Sequence, residues 1–262
     1  MMAPPPSSCA PNTPIATVHS CNYGGVVRNP LWTLVHLLAT MKNERGEITI
    51  DGFHDDIVPP APEERNAAAR LPLDLAEIKH TLSLSHLDAP AERAYYDRLC
   101  FHPTLTINGL HGGYGGPGLK TVLPHAAFAK CDIRLVEAQD PVDILGKVAA
   151  HVRHHAPEVE FIAHEPGMAP SKTPMTSAYV EPIRRAILAA RGVEPLLYPA
   201  GFGSLPGYVF TKILGIDALV VPYGNADEAN HAPNENLTLD CFFNGIRTGA
   251  ALLDEIGKLA KC

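Results

Sequence analysis

The heptapeptide A-K-C-D-I-R-L at 129–135 alternates apolar and polar side chains at every step. On an extended backbone Ala129, Cys131, Ile133 and Leu135 fall on one side, and Lys130, Asp132 and Arg134 on the other. This is the pattern of an antiparallel strand with one packed and one open face. Just beyond it, Asp140-Pro141 sets a capping side chain before a proline at the first helical position. Ile144, Leu145, Val148 and Val152 then form one apolar stripe. Asn29-Pro30 repeats the device upstream, followed by Leu31, Leu34, Val35 and Leu38. Two such helices belong on one face of an antiparallel sheet, which predicts an α+β, two-layer architecture.

Working outward, residues 15–166 predict the order strand, helix, insertion, strand, strand, helix, strand. The insertion, at about 54–101, is rich in proline, alanine and charge and predicts mostly helix. After the hinge-like P-G-M-A-P-S-K-T-P, residues 167–262 form a second block. Tyr179, Val180, Ile183 and Ile187 mark a helix ended by Gly192, and Phe242, Ile246, Leu253 and Ile256 mark a last amphipathic one. The apolar run Ala218–Val221 reads as a buried strand closed by the Pro222-Tyr223-Gly224 turn. With so few strand candidates, this block reads as part of an α/β domain that needs a sheet from elsewhere.

Composition sets the background. The 262 residues are 46% hydrophobic and 19% charged, ordinary values for a globular protein with a sizeable core. Net charge is −7 and the 21 Lys and Arg residues do not cluster, so no nucleic-acid or anionic-lipid footprint is present. Residues 1–14 carry no basic n-region or apolar h-region, and predict a disordered tail rather than a secretory signal or membrane anchor. Cysteines 9, 21, 100, 131, 241 and 262 form no close ligand pair, which predicts free thiols in the cytoplasm.

Six ordered segments carry a family resemblance. They are H-S-C-N-Y-G-G-V-V-R-N-P (19–30), G-F-H-D-D-I (52–57), G-G-Y-G-G-P-G-L-K-T-V-L-P (112–124), D-I-R-L-V (132–136), G-F-G-S-L-P (201–206) and A-D-E-A-N-H-A-P-N-E-N-L (226–237). In order and spacing they resemble the M20 metallopeptidases, most closely the carnosinase-like dipeptidase branch. The resemblance covers a ferredoxin-like lid (dimerisation) domain at 15–166 and the C-terminal segment of a zinc-hydrolase catalytic domain at 167–262.

What the resemblance implies can be weighed residue by residue. His231 matches a metal ligand. His19 matches the lid histidine that reaches across a dimer to the scissile carbonyl, stabilising oxyanion charge; its bland alternative is a strand-end histidine satisfied by loop backbone. Arg134 matches a substrate-carboxylate fork, against an ion pair with an acid such as Asp132. Thr121 matches a substrate-contacting threonine in the K-T-V-x-P turn. Ser204 suggests a helix N-terminus open to an anion, or simply an N-cap.

The resemblance also implies an HxD motif, a bridging Asp, a Glu-Glu pair and a further acidic ligand that these segments do not include. His54-Asp55-Asp56, His86-Leu87-Asp88 and Glu63-Glu64 imitate them from within the insertion. Gly112–Gly118 lacks a phosphate-loop ending, because Leu119 separates Gly118 from Lys120. The expectation is a truncated zinc dipeptidase or aminoacyl amide hydrolase, inactive alone, whose zinc is not stably bound by this chain. A homodimer is one assembly. The alternative is a non-catalytic dimerisation module that pairs with a full-length M20 enzyme and donates His19 in trans.

Overall fold

The computed structural model describes residues 14–87, 94–164, 167–201, 203–225 and 227–259. The expected tail, apart from Pro14, lies outside them, as do Cys9, Asp88 and Cys262. Two compact units form. The first joins the described residues up to Val58 with those from His102 to Pro170. The second joins those from Pro59 to Phe101 with those from Ser171 onward.

In the first unit, β1 (Val18–His19) leads into a single helical turn, α1 (Ser20–Tyr23), and then α2 (Pro30–Met41). The capping signal is realised as read: Asn29 Oδ1 accepts the Leu31 N–H at 3.0 Å, with Pro30 at the first helical position. Strand β2 (Thr104–Gly112) pairs antiparallel with β4 (Ala127–Arg134), from Thr104 opposite Arg134 to Gly112 opposite Ala127. A short β3 (Val122–Leu123) pairs with β1 instead, giving two small antiparallel sheets. Asp140 Oδ1 then caps α6 (Pro141–His155) by accepting from Val142 and Asp143 N–H at 2.8 and 3.0 Å.

One core holds these elements. Leu37 and Met41 of α2 meet Ile144, Val148 and Val152 of α6, together with Phe53 and Leu105, and Ile133 packs against the same cluster. Leu105 and Ile133 are directly opposed in the β2–β4 ladder, so one sheet face carries both helices. The alternation fails at Cys131, which is exposed. A bulge on β2 between Ile107 and Gly109 leaves one residue of that strand unpaired next to the Ile107–Cys131 pair. No ladder forms beyond α6 among the described residues, where a last strand was expected. Val159 and Phe161 instead reach the core from irregular backbone.

The second unit contains α3 (Pro62–Arg70), α4 (Leu75–Thr81) and α5 (Tyr95–Phe101). Ala68, Cys100 and Phe101 form its small buried cluster, with Tyr96 and Ala200 against it. Helix α7 (Val180–Arg191) ends where expected: Gly192 takes φ 71°, a left-handed value natural to glycine, and its N–H closes on Leu188 O. Helix α8 (Leu239–Leu259) lies against α7, with Ala186 and Thr248 fully buried and Arg185 paired to Glu255 at 2.8 Å.

One expectation for this unit is corrected. Residues 218–221 form no strand, and Val220 is 71% exposed. Thr173 Oγ1 holds the Ala218 carbonyl and amide instead, at 2.8 and 2.9 Å. An apolar strand of that kind needs neighbours on both edges, and no described strand of this unit provides them. Helix α8 is amphipathic, as read, and its apolar stripe is uncovered: Phe242, Ile246 and Leu253 are 50, 58 and 78% exposed. No helix among the described residues is long and apolar enough to cross a membrane.

Candidate functional site

The β1–β3 ladder sets His19 opposite Val122, and this register brings two candidate residues together. His19 Nε2 lies 3.1 Å from Thr121 Oγ1 across 102 positions of sequence. The other ring nitrogen, Nδ1, accepts the Cys21 N–H at 3.2 Å, because His19 occupies the capping position of α1. Ser20 N–H donates to Thr121 O at 3.0 Å and fixes the threonine backbone beside the ring. The glycine-rich stretch before Thr121 is a loop running into β3 and not into a helix, as its lack of a phosphate-loop ending implied.

Arg134 stands at the end of β4, on the other small sheet. Its side chain is 55% exposed, and Nε lies 3.3 Å from Asp132 Oδ2 two residues earlier on the same strand face. A solvated pair of this kind is worth ~0–1 kcal/mol.

Ser204 is exposed in irregular backbone ahead of a π-helical turn at Val209–Leu214. The residue at that turn's capping position is Tyr208, and no side chain caps it. Glycine and proline at 201–206 delay the helical backbone past the serine.

His231 sits in a loop held by side chains. Asn225 Nδ2 donates to Asp227 Oδ1 and Asn236 Oδ1 at 2.7 and 3.0 Å, and Asn225 Oδ1 accepts the Thr238 N–H at 3.0 Å. Asn236 Nδ2 donates to Asp227 O and Asn234 O at 3.1 and 3.2 Å. Thr238 Oγ1 then accepts the Cys241 N–H, starting α8. Within this frame Ala229, His231 and Asn234 all take positive φ, 53°, 59° and 66°. Left-handed backbone at alanine and histidine costs about 1–2 kcal/mol each, strain that clusters at functional positions.

The imitators of the acidic ligands have structural work. His54 Nε2 contacts Ile48 O at 3.0 Å, and Asp56 pairs with Lys147 at 3.4 Å. Glu64 accepts the Ala61 N–H at 2.8 Å and pairs with Lys172 at 2.6 Å. A catalytic zinc takes three protein ligands and keeps one open position. Among the described residues no group of three or more His, Cys, Asp or Glu is placed to hold a metal, so these residues do not fit a complete zinc centre. Of the cysteines, 21, 100, 131 and 241 are free thiols, and burial pushes the Cys100 thiol up to about 11. That makes it a packing residue, not a nucleophile.

An open cleft of about 340 Å³ that the motifs did not indicate lies between Arg28, Trp32, Thr33, His36, His155 and Glu158. Trp32 and His36 are one helical turn apart, with ring centroids at 5.6 Å, and Arg28 pairs with Glu158 across 130 positions. The aromatic pair had a helix-face signal in the sequence, but the ion pair had none.

Comparisons with known proteins agree with this architecture. The Beta-Ala-His dipeptidase of Rattus norvegicus is 26% identical over 246 residues, covering 92% of this chain and 50% of the relative. The Cys-Gly metallodipeptidase of Saccharomyces cerevisiae is 28% identical over 257 residues, covering 92% and 51%. The chain thus spans about half the length of the curated relatives it matches. Among solved structures, an M20 family metallo-carboxypeptidase from Sulfolobus solfataricus superposes with a TM-score of 0.86 at 30% identity, over 92% of this chain and 55% of that one. Human carnosine dipeptidase 1 gives 0.75 at 25% identity, over 92% and 52%. The M20 peptidase dimerisation domain matches residues 12–160, more than half of the sequence, and the chain belongs to the M20 peptidase family.

Proposed function

We propose that this chain supplies the lid and the C-terminal portion of the catalytic domain of an M20 amide hydrolase acting on dipeptides or acylated amino acids, and that it is inactive alone. One observation carries the reading. Helix α8 displays Leu239, Phe242, Phe243, Ile246 and Leu253 at 73, 50, 53, 58 and 78% exposure, an apolar face of the kind that marks an interaction site. The relatives have about twice the length in which to cover such a face.

In this reading His231 is one ligand of a zinc centre whose other ligands and glutamate base lie outside the described residues. His19 stabilises oxyanion charge from the partner subunit of a dimer, Thr121 and Arg134 contact substrate, and Ser204 lies along the substrate path. Zinc, where the centre is complete, supplies an activated water. Four free thiols among the described residues favour a cytoplasmic setting.

The test is metal analysis and dipeptide hydrolysis on the purified chain, with Cys-Gly and β-Ala-His as substrates. We expect substoichiometric zinc and no turnover. Stoichiometric zinc with turnover would overturn the reading.

A second reading is a non-catalytic dimerisation module that pairs with a full-length M20 enzyme and donates His19 in trans. Strands β2 and β4 pair only with each other among the described residues, and their outer edges are templates for another chain. Co-purification with a full-length relative, and loss of that relative's activity on His19→Ala in this chain, would favour it.

A further inference from the structure

The sequence holds two Asn-Gly steps, Asn108-Gly109 and Asn244-Gly245, and the fold treats them differently. Such a step can close on itself when the glycine nitrogen attacks the asparagine side-chain carbonyl carbon. Glycine favours this because it has no Cβ to crowd the approach. Asn244-Gly245 lies inside α8, where ring closure requires turning a peptide group that belongs to the helical ladder. The Asn244 carbonyl also accepts the Thr248 hydroxyl at 2.7 Å, and its Oδ1 accepts from Arg247 Nη1 at 3.3 Å. Tyr223 closes the other side, at 3.3 Å from where a Gly245 Cβ would stand.

Asn108-Gly109 lies at the bulge of β2. Ile107 is opposite Cys131 and Gly109 opposite Lys130, so the ladder passes over Asn108, which is exposed. A residue left out of the ladder turns its backbone at less cost than a paired one. The backbone does not demand glycine here, since Gly109 has no left-handed φ and a Cβ would meet nothing within 4 Å.

We propose that Asn108 is a site of spontaneous deamidation through a succinimide with the Gly109 nitrogen, and that α8 holds Asn244 back from the same reaction. The Gly109 nitrogen gives its proton to hydroxide and bonds to Asn108 Cγ, the Cγ–Nδ2 bond breaks, and ammonia leaves. Water then adds to one of the two ring carbonyls and opens the ring, so that one water is consumed for each ammonia released. Opening at the side-chain carbonyl gives aspartate, and opening at the backbone carbonyl gives isoaspartate, which adds a methylene to the main chain of β2. Either product places a new carboxylate at the register step beside Lys130.

The experiment incubates the whole chain at mildly alkaline pH, folded and in urea, and follows the two Asn-Gly peptides by mass spectrometry with isoaspartate mapping. In the folded chain Asn108 should convert to a mixture of aspartate and isoaspartate at least about tenfold faster than Asn244, because a helix must open locally before its asparagine can react. In urea the two should convert at similar rates. Gly109→Ala has room for its methyl group and should slow conversion of Asn108 about tenfold by crowding the nitrogen. Its melting temperature reports whether the fold is kept, and the comparison of Asn108 with Asn244 in the parent chain needs no variant. Equal rates at the two sites in the folded chain, conversion of Asn108 only in urea, products without isoaspartate, or an unchanged rate in a folded Gly109→Ala would overturn the proposal.

Discussion

The Lys172 ammonium lies 2.6 Å from the Glu64 carboxylate, and both side chains are largely removed from water, at 14 and 7% exposure. The pair joins α3 to the start of the C-terminal block, more than a hundred residues away. It accounts for how a helical segment that interrupts the first unit in sequence belongs to the second in space.

Removing one partner deprives the other, a largely buried charge, of this ion pair. Glu64→Ala or Lys172→Met should each cost about 3–5 kcal/mol, whereas the double apolar variant Glu64→Leu with Lys172→Met should recover most of the loss. Urea titration of the three variants checks this. Additive losses in the double variant would mean the two groups do not act as a pair.

Gln139 is fully buried and closes two backbone groups that have no ladder to join. Its Oε1 accepts the Val136 N–H at 3.0 Å and its Nε2 donates to Phe53 O at 2.8 Å. Gln139→Ala orphans both, which should lower stability by about 2–4 kcal/mol, while Gln139→Glu keeps only the first bond and brings in a charge. Thermal unfolding of the alanine variant within ~0.5 kcal/mol of the parent would contradict this account.

Local signals were legible and distant ones were not, for a physical reason. Asn29-Pro30 and Asp140-Pro141 act within three residues, so the residues that cap each helix can be read beside it. The α+β class followed from those helices and the period-two strand. His19 and Thr121 were each recognisable as motif residues, but their contact depends on a register that only the folded ladder sets. Gln139 and Glu64 were illegible as anchors because their partners lie far along the chain. The run 218–221 was misread as a buried strand because apolarity alone does not say whether a sheet is at hand to receive it.

The histidines at the end of α6 make stability depend on pH. His151 is buried, 2.8 Å from Thr40 Oγ1, with the His155 ring at 4.2 Å. Burial first, then the neighbouring His155 and His154, holds its pKa below the ordinary 6.5, against a smaller upward pull from Asp51. The folded state therefore prefers the neutral ring. Above 6.5 the ring is neutral folded or unfolded, and its contribution is intact. As pH falls through that value the unfolded chain takes the proton first, and stability declines until the folded ring also titrates. His151→Gln should flatten this acid limb in a series of melting temperatures against pH. An unchanged slope would assign the limb to other groups.

The uncovered face of α8 makes the last prediction. Leu253 and Ile246 are 78 and 58% exposed, so a polar residue at either position gives up little burial within this chain. Ile246→Lys and Leu253→Lys should change unfolding free energy by no more than about 0.5 kcal/mol, as surface substitutions do. The same changes should reduce binding of a hydrophobic dye and suppress self-association in size-exclusion chromatography, because they break a continuous apolar patch. If this face is covered in the working assembly, the lysine variants should lose whatever hydrolytic activity that assembly has, while the isolated chain becomes better behaved. Full activity in the assembly together with both lysines would show that α8 faces solvent there, and the apolar stripe would need another explanation.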